Sequence, residues 1–292
     1  MKICYSIFTT YEQEMIKIRN RSAFLLLLPG VLAILLFLFF PVIQIALPTF
    51  AGHFGLSNYI TFLQSHYNQG VLIRTLIIAF ITMIITLTLG LPLSVWIARQ
   101  RSTVRNLLSV VILFPILTNA VVRNFTWIII LGKNGVLNTL LLKLNFIDQP
   151  LTLLYSDMAI VIGSVYLFLP IMVTSLVSSV QELNVEVEEA AAILGSRPLV
   201  TFFKVMIPQL TTGILTGCIL VFAGAMTAYT TPQLLGGNRH LVMSTLIYQQ
   251  AMTLGDWSSA SVVAIILIIL TVLVLGMMRL VAKQLDRRSV ND

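Results

Sequence analysis

Four of the chain's eleven acidic residues, Glu182, Glu186, Glu188 and Glu189, lie close together, and Ala190, Ala191, Gly195 and Pro208 come after them. At about 100° per residue, Leu183, Val187, Ala190, Ala191 and Leu194 form one helical stripe, with Glu182, Glu186 and Glu189 on a neighbouring face. The chemistry available to such a face is recognition. Carboxylates can pair with a basic partner, and alanines let another backbone come close. Gly195 suits the left-handed residue that ends a helix. Ser196 is expected to cap a second helix with Pro198 in its first turn. Leu199, Phe202, Phe203 and Met206 are expected to share one face of that helix, and Pro208 to stop it. The alternative is a loop that packs on its own bundle with the glutamates as a solvated face.

Other chemistries find no support. No GxxxxGK[ST] phosphate loop occurs. His53, His66 and His240 are far apart and have no metal-ligand spacing. The polar residues assemble into no Ser-His-Asp or Cys-His constellation. Cys4 and Cys218 fall in different predicted compartments, which argues against a disulfide between them. The triplets Asn20-Arg-Ser and Asn124-Phe-Thr match the glycosylation pattern but are short enough to arise by chance.

The elements that position the acidic stretch are membrane spans. The 292 residues are 58% hydrophobic and 10% charged, against roughly a quarter charged in soluble domains. Apolar runs of about 20 residues, enough to cross a hydrocarbon core of about 30 Å as helices, fall near Phe24–Leu47, Arg74–Ala98, Asn106–Leu131, Met158–Val180, Thr211–Tyr229 and Ser258–Val281. Continuous runs favour helices over barrel strands, which alternate apolar and polar residues. The fold class is therefore all-α, an integral membrane protein with six transmembrane helices. Residues 23–282 form the membrane domain, between an amino tail (1–22) and a carboxyl tail (283–292). The first run is too long for a cleaved signal and lacks a small-x-small site, so it reads as a span. Pro41, Pro92, Pro115 and Pro170 should kink their helices.

Lysine and arginine set the orientation. Thirteen fall on the side holding both tails, the 99–105 loop and the 181–210 loop, and five on the other. By the positive-inside rule both termini and the acidic loop face the cytoplasm. The net charge of +7 needs no nucleic-acid partner, because the inward bias accounts for it. No acid lies within a span, which disfavours an ion-coupled carrier. A protein without its own phosphate loop must draw energy from elsewhere.

Glu189, Ala190 and Ala191, with Gly195 and then Val205, Ile207 and Pro208 in register, resemble the EAA signature of ATP-binding-cassette (ABC) importer permeases. Asn134-Gly135-x-Leu137-Asn138, Pro150-Leu151-x-Leu153-Leu154-Tyr155, Leu169-Pro170 and Pro232-x-Leu234-Leu235-Gly236-Gly237 are similar to the spermidine/putrescine branch. The resemblance implies a type I ABC importer permease fold in a bacterial inner membrane. It implies that the loop over about 181–210 docks on a separate ATPase dimer, the subunit that binds ATP and magnesium. No cofactor is then expected on this chain, and no catalysis by it. Further implied partners are a second related permease, or a second copy, and a substrate-binding protein received by the loops near Gly132–Asp157 and Thr230–Trp257. Candidate residues of a substrate path are Asn119, Arg123 and Asn124 on span three, Tyr166, Tyr229, and Asp157 and Asp256 at the outer mouth. Acids and aromatic faces suit a polyamine. Arg123 suits a carboxylate or phosphonate better, so importers of opines or aminoethylphosphonate remain alternatives. A non-transporting helical scaffold is the alternative from another class.

Overall fold

The computed structural model describes residues 27–47, 49 and 55–285. The amino tail, with Cys4 and Asn20, and residues 286–292 of the carboxyl tail lie outside the described residues, as do His53 and the first residues of the predicted first span. The chain divides into two units, residues 1–56 and 57–292. In the first, the apolar run expected as span one is a helix, α1 (Leu27–Leu47).

The second unit is helical throughout its described elements. α2 (Gly55–Gln64) leads through Ser65 into α3 (His66–Ala98), a 33-residue helix of about 50 Å at 1.5 Å per residue. It starts eight residues before the expected boundary, because polar residues 66–70 add helical turns beyond the apolar run. Val71, Thr75, Ile78, Ala79, Thr82, Met83, Thr86 and Gly90 are buried in one stripe along it. Thr75 and Thr86 donate to the carbonyls four residues back, at 2.7 and 2.8 Å, so the stripe carries few unpaired polar groups into the bundle.

Span three departs from expectation. Asn106–Leu131 is not one helix but two, α4 (Ser102–Leu117) and α5 (Ala120–Leu131), and α5 is followed by the short α6 (Val136–Lys143). Pro115 weakens the last turn of α4 by removing an N–H. Thr118 is then extended, and Asn119 starts a new helix by accepting from Val121 N at 2.8 Å and Val122 N at 3.4 Å.

α7 (Asp157–Gln181) matches the expected fourth span to within a residue at each end. It is the most buried long helix, packed on α3 and on α11 (Thr211–Thr227). Between them lie α8 (Val185–Ile193), α9 (Pro198–Thr201), a π-helical turn at Phe202–Met206 and α10 (Ile207–Gln209). The 198–209 segment meets α11 at 73°; α11 itself covers the expected fifth span, Thr211–Tyr229, and reaches spanning length only when that segment is counted with it. α12 (Thr230–Leu235) and α13 (Met243–Tyr248) cross the far end, and α14 (Trp257–Leu285) is the last span. Among the described residues, five helical runs are long and apolar enough to cross a membrane, or six with the bent pair counted as one.

The main core draws Met83 and Leu91 from α3, Phe168, Met172 and Leu176 from α7, Val221 and Phe222 from α11, and Val262 and Val263 from α14. Small residues set how closely these helices pack, as expected where lipid removes most of the hydrophobic drive. Gly213 and Gly217, one turn apart on α11, face Ser175 and Ser179 on α7, and Ser175 Oγ donates to Gly213 O at 3.2 Å. A Cβ at Gly217 would sit 2.6 Å from Met172 Sδ, and one at Gly90 only 2.9 Å from Met172 Cγ.

Candidate functional site

The acidic stretch is helical from Val185. Asn184 caps α8 by accepting from Glu186 N at 3.0 Å, and Glu186 and Glu188 fall in the first turn, where carboxylates suit the helix dipole. Gly195 has φ +79°, as its type predicts. Gly195 N donates to Ala192 O at 2.9 Å and Ser196 N to Ala191 O at 3.0 Å, the two bonds of a Schellman ending.

Three expectations about the second helix fail. Ser196 does not cap it: Arg197 occupies the cap position without a side-chain bond, and Ser196 Oγ accepts from Thr201 Oγ1 at 2.9 Å. Nor do Leu199, Phe202, Phe203 and Met206 share a face. Met206 is buried and Phe202 half-buried, while Leu199 and Phe203 are exposed. The π turn changes the angular spacing, so a 3.6-residue wheel misassigns the faces from Phe202 onward. Pro208 does not end the helix at once either. It lies in α10, just after this widened turn, and the break comes at Leu210.

Leu183, Met206 and Leu210 anchor the loop in a core shared with Ile97, Val177 and Val180. Glu188 forms an ion pair with Arg99 at the end of α3, tying α8 to the second span. Glu189 and Ala190 remain exposed and Ala191 is half-buried. Ile193 and Leu194, at 86% and 87% exposure, extend with Leu199 and Phe203 into an apolar surface beside them. Val205 and Ile207 are half-buried and Pro208 exposed.

At the far end the sequence motifs converge. Asn138, fully buried, donates to Gly132 O and Leu151 O and accepts from Leu151 N, stitching the 134–138 stretch to the 150–155 stretch. Tyr155 N donates to Leu235 O at 2.9 Å, and the Tyr155 ring covers Gly237, whose φ is +61°. Leu154, Tyr155, Gly236, Gly237, Arg239 and His240 line an open depression of about 590 Å³ there. The 83-residue link between His240 and Asp157 (Nδ1 to Oδ1, 2.8 Å) has no sequence signal, and neither does the Arg74–Asp157 ion pair at 3.3 Å.

The path candidates separate accordingly. Asn119, Arg123 and Asn124 gather at the break in span three, with Tyr166 an electrostatic neighbour of Arg123. Arg123 is 9% exposed, and its NH1 donates to Pro115 O at 2.7 Å and Thr118 O at 3.3 Å. It therefore holds carbonyls that the break leaves without helical partners. Asn124 is buried beside Gly163 of α7, with its Nδ2 on Ala120 O and its Oδ1 unpaired. Tyr166 meets Trp127 edge-on at 5.6 Å, and Tyr229 stacks near Tyr248 at 5.0 Å. Asp157 is engaged by Arg74 and His240. Asp256 caps the last span by accepting from Ser259 N at 3.0 Å, and bonds to Ser259 hold its carboxyl below the usual range. The structure thus groups four candidates at the break and leaves Tyr229, Asp157 and Asp256 in separate places.

Replacing Arg123 with Met is expected to lower stability by about 1–3 kcal/mol, since Thr118 O loses its side-chain donor away from water and Pro115 O keeps only Thr118 Oγ1. The measurement is thermal unfolding of the purified protein alongside the transport KM. A fall in stability at unchanged KM fits a positioning role; a raised KM at unchanged stability would assign Arg123 to cargo instead.

The profile of the family described as "binding-protein-dependent transport system inner membrane component" matches residues 90–287. The chain belongs to that family. This permease is 34% identical over 242 residues to the spermidine/putrescine transport system permease protein PotB of Salmonella typhimurium, covering 82% of this chain and 83% of that one. PotB of Escherichia coli K12 is 36% identical over 228 residues, 78% and 81% of the two chains. The molybdenum transport system permease protein ModB of Azotobacter vinelandii is 28% identical over 174 residues, 60% of this chain and 75% of that one. In fold, the permease is similar to a chain of a bacterial ABC transporter that imports alginate, with TM-score 0.77 at 15% identity over 92% and 97% of the two chains. A second structure of a bacterial alginate ABC transporter, in complex with an alginate-bound periplasmic protein, gives 0.75 at 17% identity over 94% and 96%. The expected ABC importer permease fold is borne out.

Proposed function

We propose that this permease forms part of the translocation path of an ATP-driven polyamine importer, with spermidine or putrescine as cargo. The similarity to PotB over more than four fifths of both chains carries this reading. The chain is a non-catalytic subunit. A separate ATPase dimer binds ATP and magnesium and grips the 181–210 loop through Glu189, Ala190, Ala191 and the neighbouring apolar surface. A second related permease, or a second copy, completes the path, and a binding protein delivers cargo to the far end. Both termini lie in the cytoplasm, consistent with the charge bias.

The burial of Arg123 on its own backbone supports a cationic cargo by removing the objection that its charge raised. The Tyr166–Trp127 and Tyr229–Tyr248 pairs offer ring faces that attract ammonium groups. The test is ATP-dependent uptake into proteoliposomes holding the complete transporter with its binding protein. Labelled spermidine or putrescine should accumulate, and unlabelled aminoethylphosphonate should not compete. Uptake of the phosphonate without uptake of either polyamine would overturn the cargo assignment.

A further inference from the structure

A groove of about 580 Å³ runs between α3 and the start of α7, lined by Ile73, Ile77, Ile81, Ile85, Met158 and Val161. From Gly70 to Ile85 it follows α3 for about 22 Å at 1.5 Å per residue, enough to cross one leaflet of a hydrocarbon core of about 30 Å. Its walls are uncovered within this unit: Ile73, Ile77 and Met158 are more than half exposed. Arg74 and Asp157 also line it, where α7 begins. Their ion pair leaves both charges accessible, with side chains 31% and 50% exposed. Arg74 NH1 donates to Leu241 O, and Asp157 also faces His240.

We propose that this groove is a binding site for phosphatidylethanolamine. One acyl chain lies along the isoleucines. The lipid phosphate meets the Arg74 guanidinium, and the ammonium meets the free side of the Asp157 carboxylate. The charge pattern distinguishes this lipid from an anionic one, because phosphatidylglycerol would bring no cation to Asp157. The lipid straps α3 to α7 at the end where the 236–242 segment also converges on Asp157.

The experiment is mass spectrometry of lipid retained by the transporter purified in mild detergent. The ratio of phosphatidylethanolamine to phosphatidylglycerol among retained lipids should exceed that of the source membrane severalfold. Ile77→Trp, which fills the groove without touching the ion pair, should remove that excess. Arg74→Gln should bring the ratio of phosphatidylethanolamine to phosphatidylglycerol down to that of the membrane. Retention in bulk proportions by the unaltered protein, or an excess unchanged in Ile77→Trp, overturns the proposal. So does a disulfide formed efficiently between Ile77→Cys and a second permease subunit, because a helix would then occupy the groove.

Discussion

Placing Trp at Ala190 is expected to abolish cargo uptake while the permease still inserts and folds. Ala190 is exposed and next to Glu189 on the surface proposed to meet the ATPase. An indole there would hold the two backbones apart without disturbing the permease core, since α8 contributes no buried residue. The core anchors Leu183, Met206 and Leu210 lie outside α8. ATP hydrolysis by the assembled transporter should lose its stimulation by cargo-loaded binding protein. The thermal midpoint of the purified permease should stay unchanged. Gly195→Pro should give the same loss of transport by a different route. It removes the N–H bonded to Ala192 O and cannot adopt φ +79°, so it breaks the turn that fixes α8 against α9. Normal uptake in both variants would defeat the docking assignment.

The second large effect is structural. Gly217→Leu should prevent recovery of a folded, monodisperse protein, because even a Cβ there would meet Met172 Sδ at 2.6 Å. Met172 is fully buried between α3 and α11, and Gly90 presses on it from the other side, so it has little room to yield. Overpacking a tight interior costs about 1–3 kcal/mol even where the neighbours can shift. Gly276→Leu is the matched control. It introduces the same side chain on α14 where nothing lies within 4 Å, and should leave yield and thermal midpoint close to those of the parent. Equal behaviour of the two variants would show that close approach of α7 and α11 is not what holds the bundle together.

How much was legible in the sequence depended on whether the signal was local. Apolar run length placed α7 and α14 to within a few residues, because bilayer thickness imposes that length directly. Gly195 was readable because only its own backbone decides φ. Span three was misread as one helix although its parts were visible. Pro115, Thr118 and Asn119 make a stop followed by a cap, but an apolar count treats them as minor interruptions. The face assigned to Leu199, Phe202, Phe203 and Met206 failed because a π turn is a backbone rearrangement with little compositional mark. Among the site residues, the partners of Asp157 were the least legible: Arg74 and His240, each 83 residues away, meet its carboxylate through contacts that no local pattern marks.

The apolar surface around α8 has a consequence for the life of the protein in the cell. Ile193, Leu194, Leu199 and Phe203 are exposed, and on the proposed orientation and docking they face the cytosol until an ATPase covers them. Exposed apolar patches attract chaperones and proteases as well as partners. A permease made in excess of its ATPase would therefore be a short-lived orphan. Its steady-state copy number would track ATPase supply, with the docking loop acting as the gauge of subunit balance.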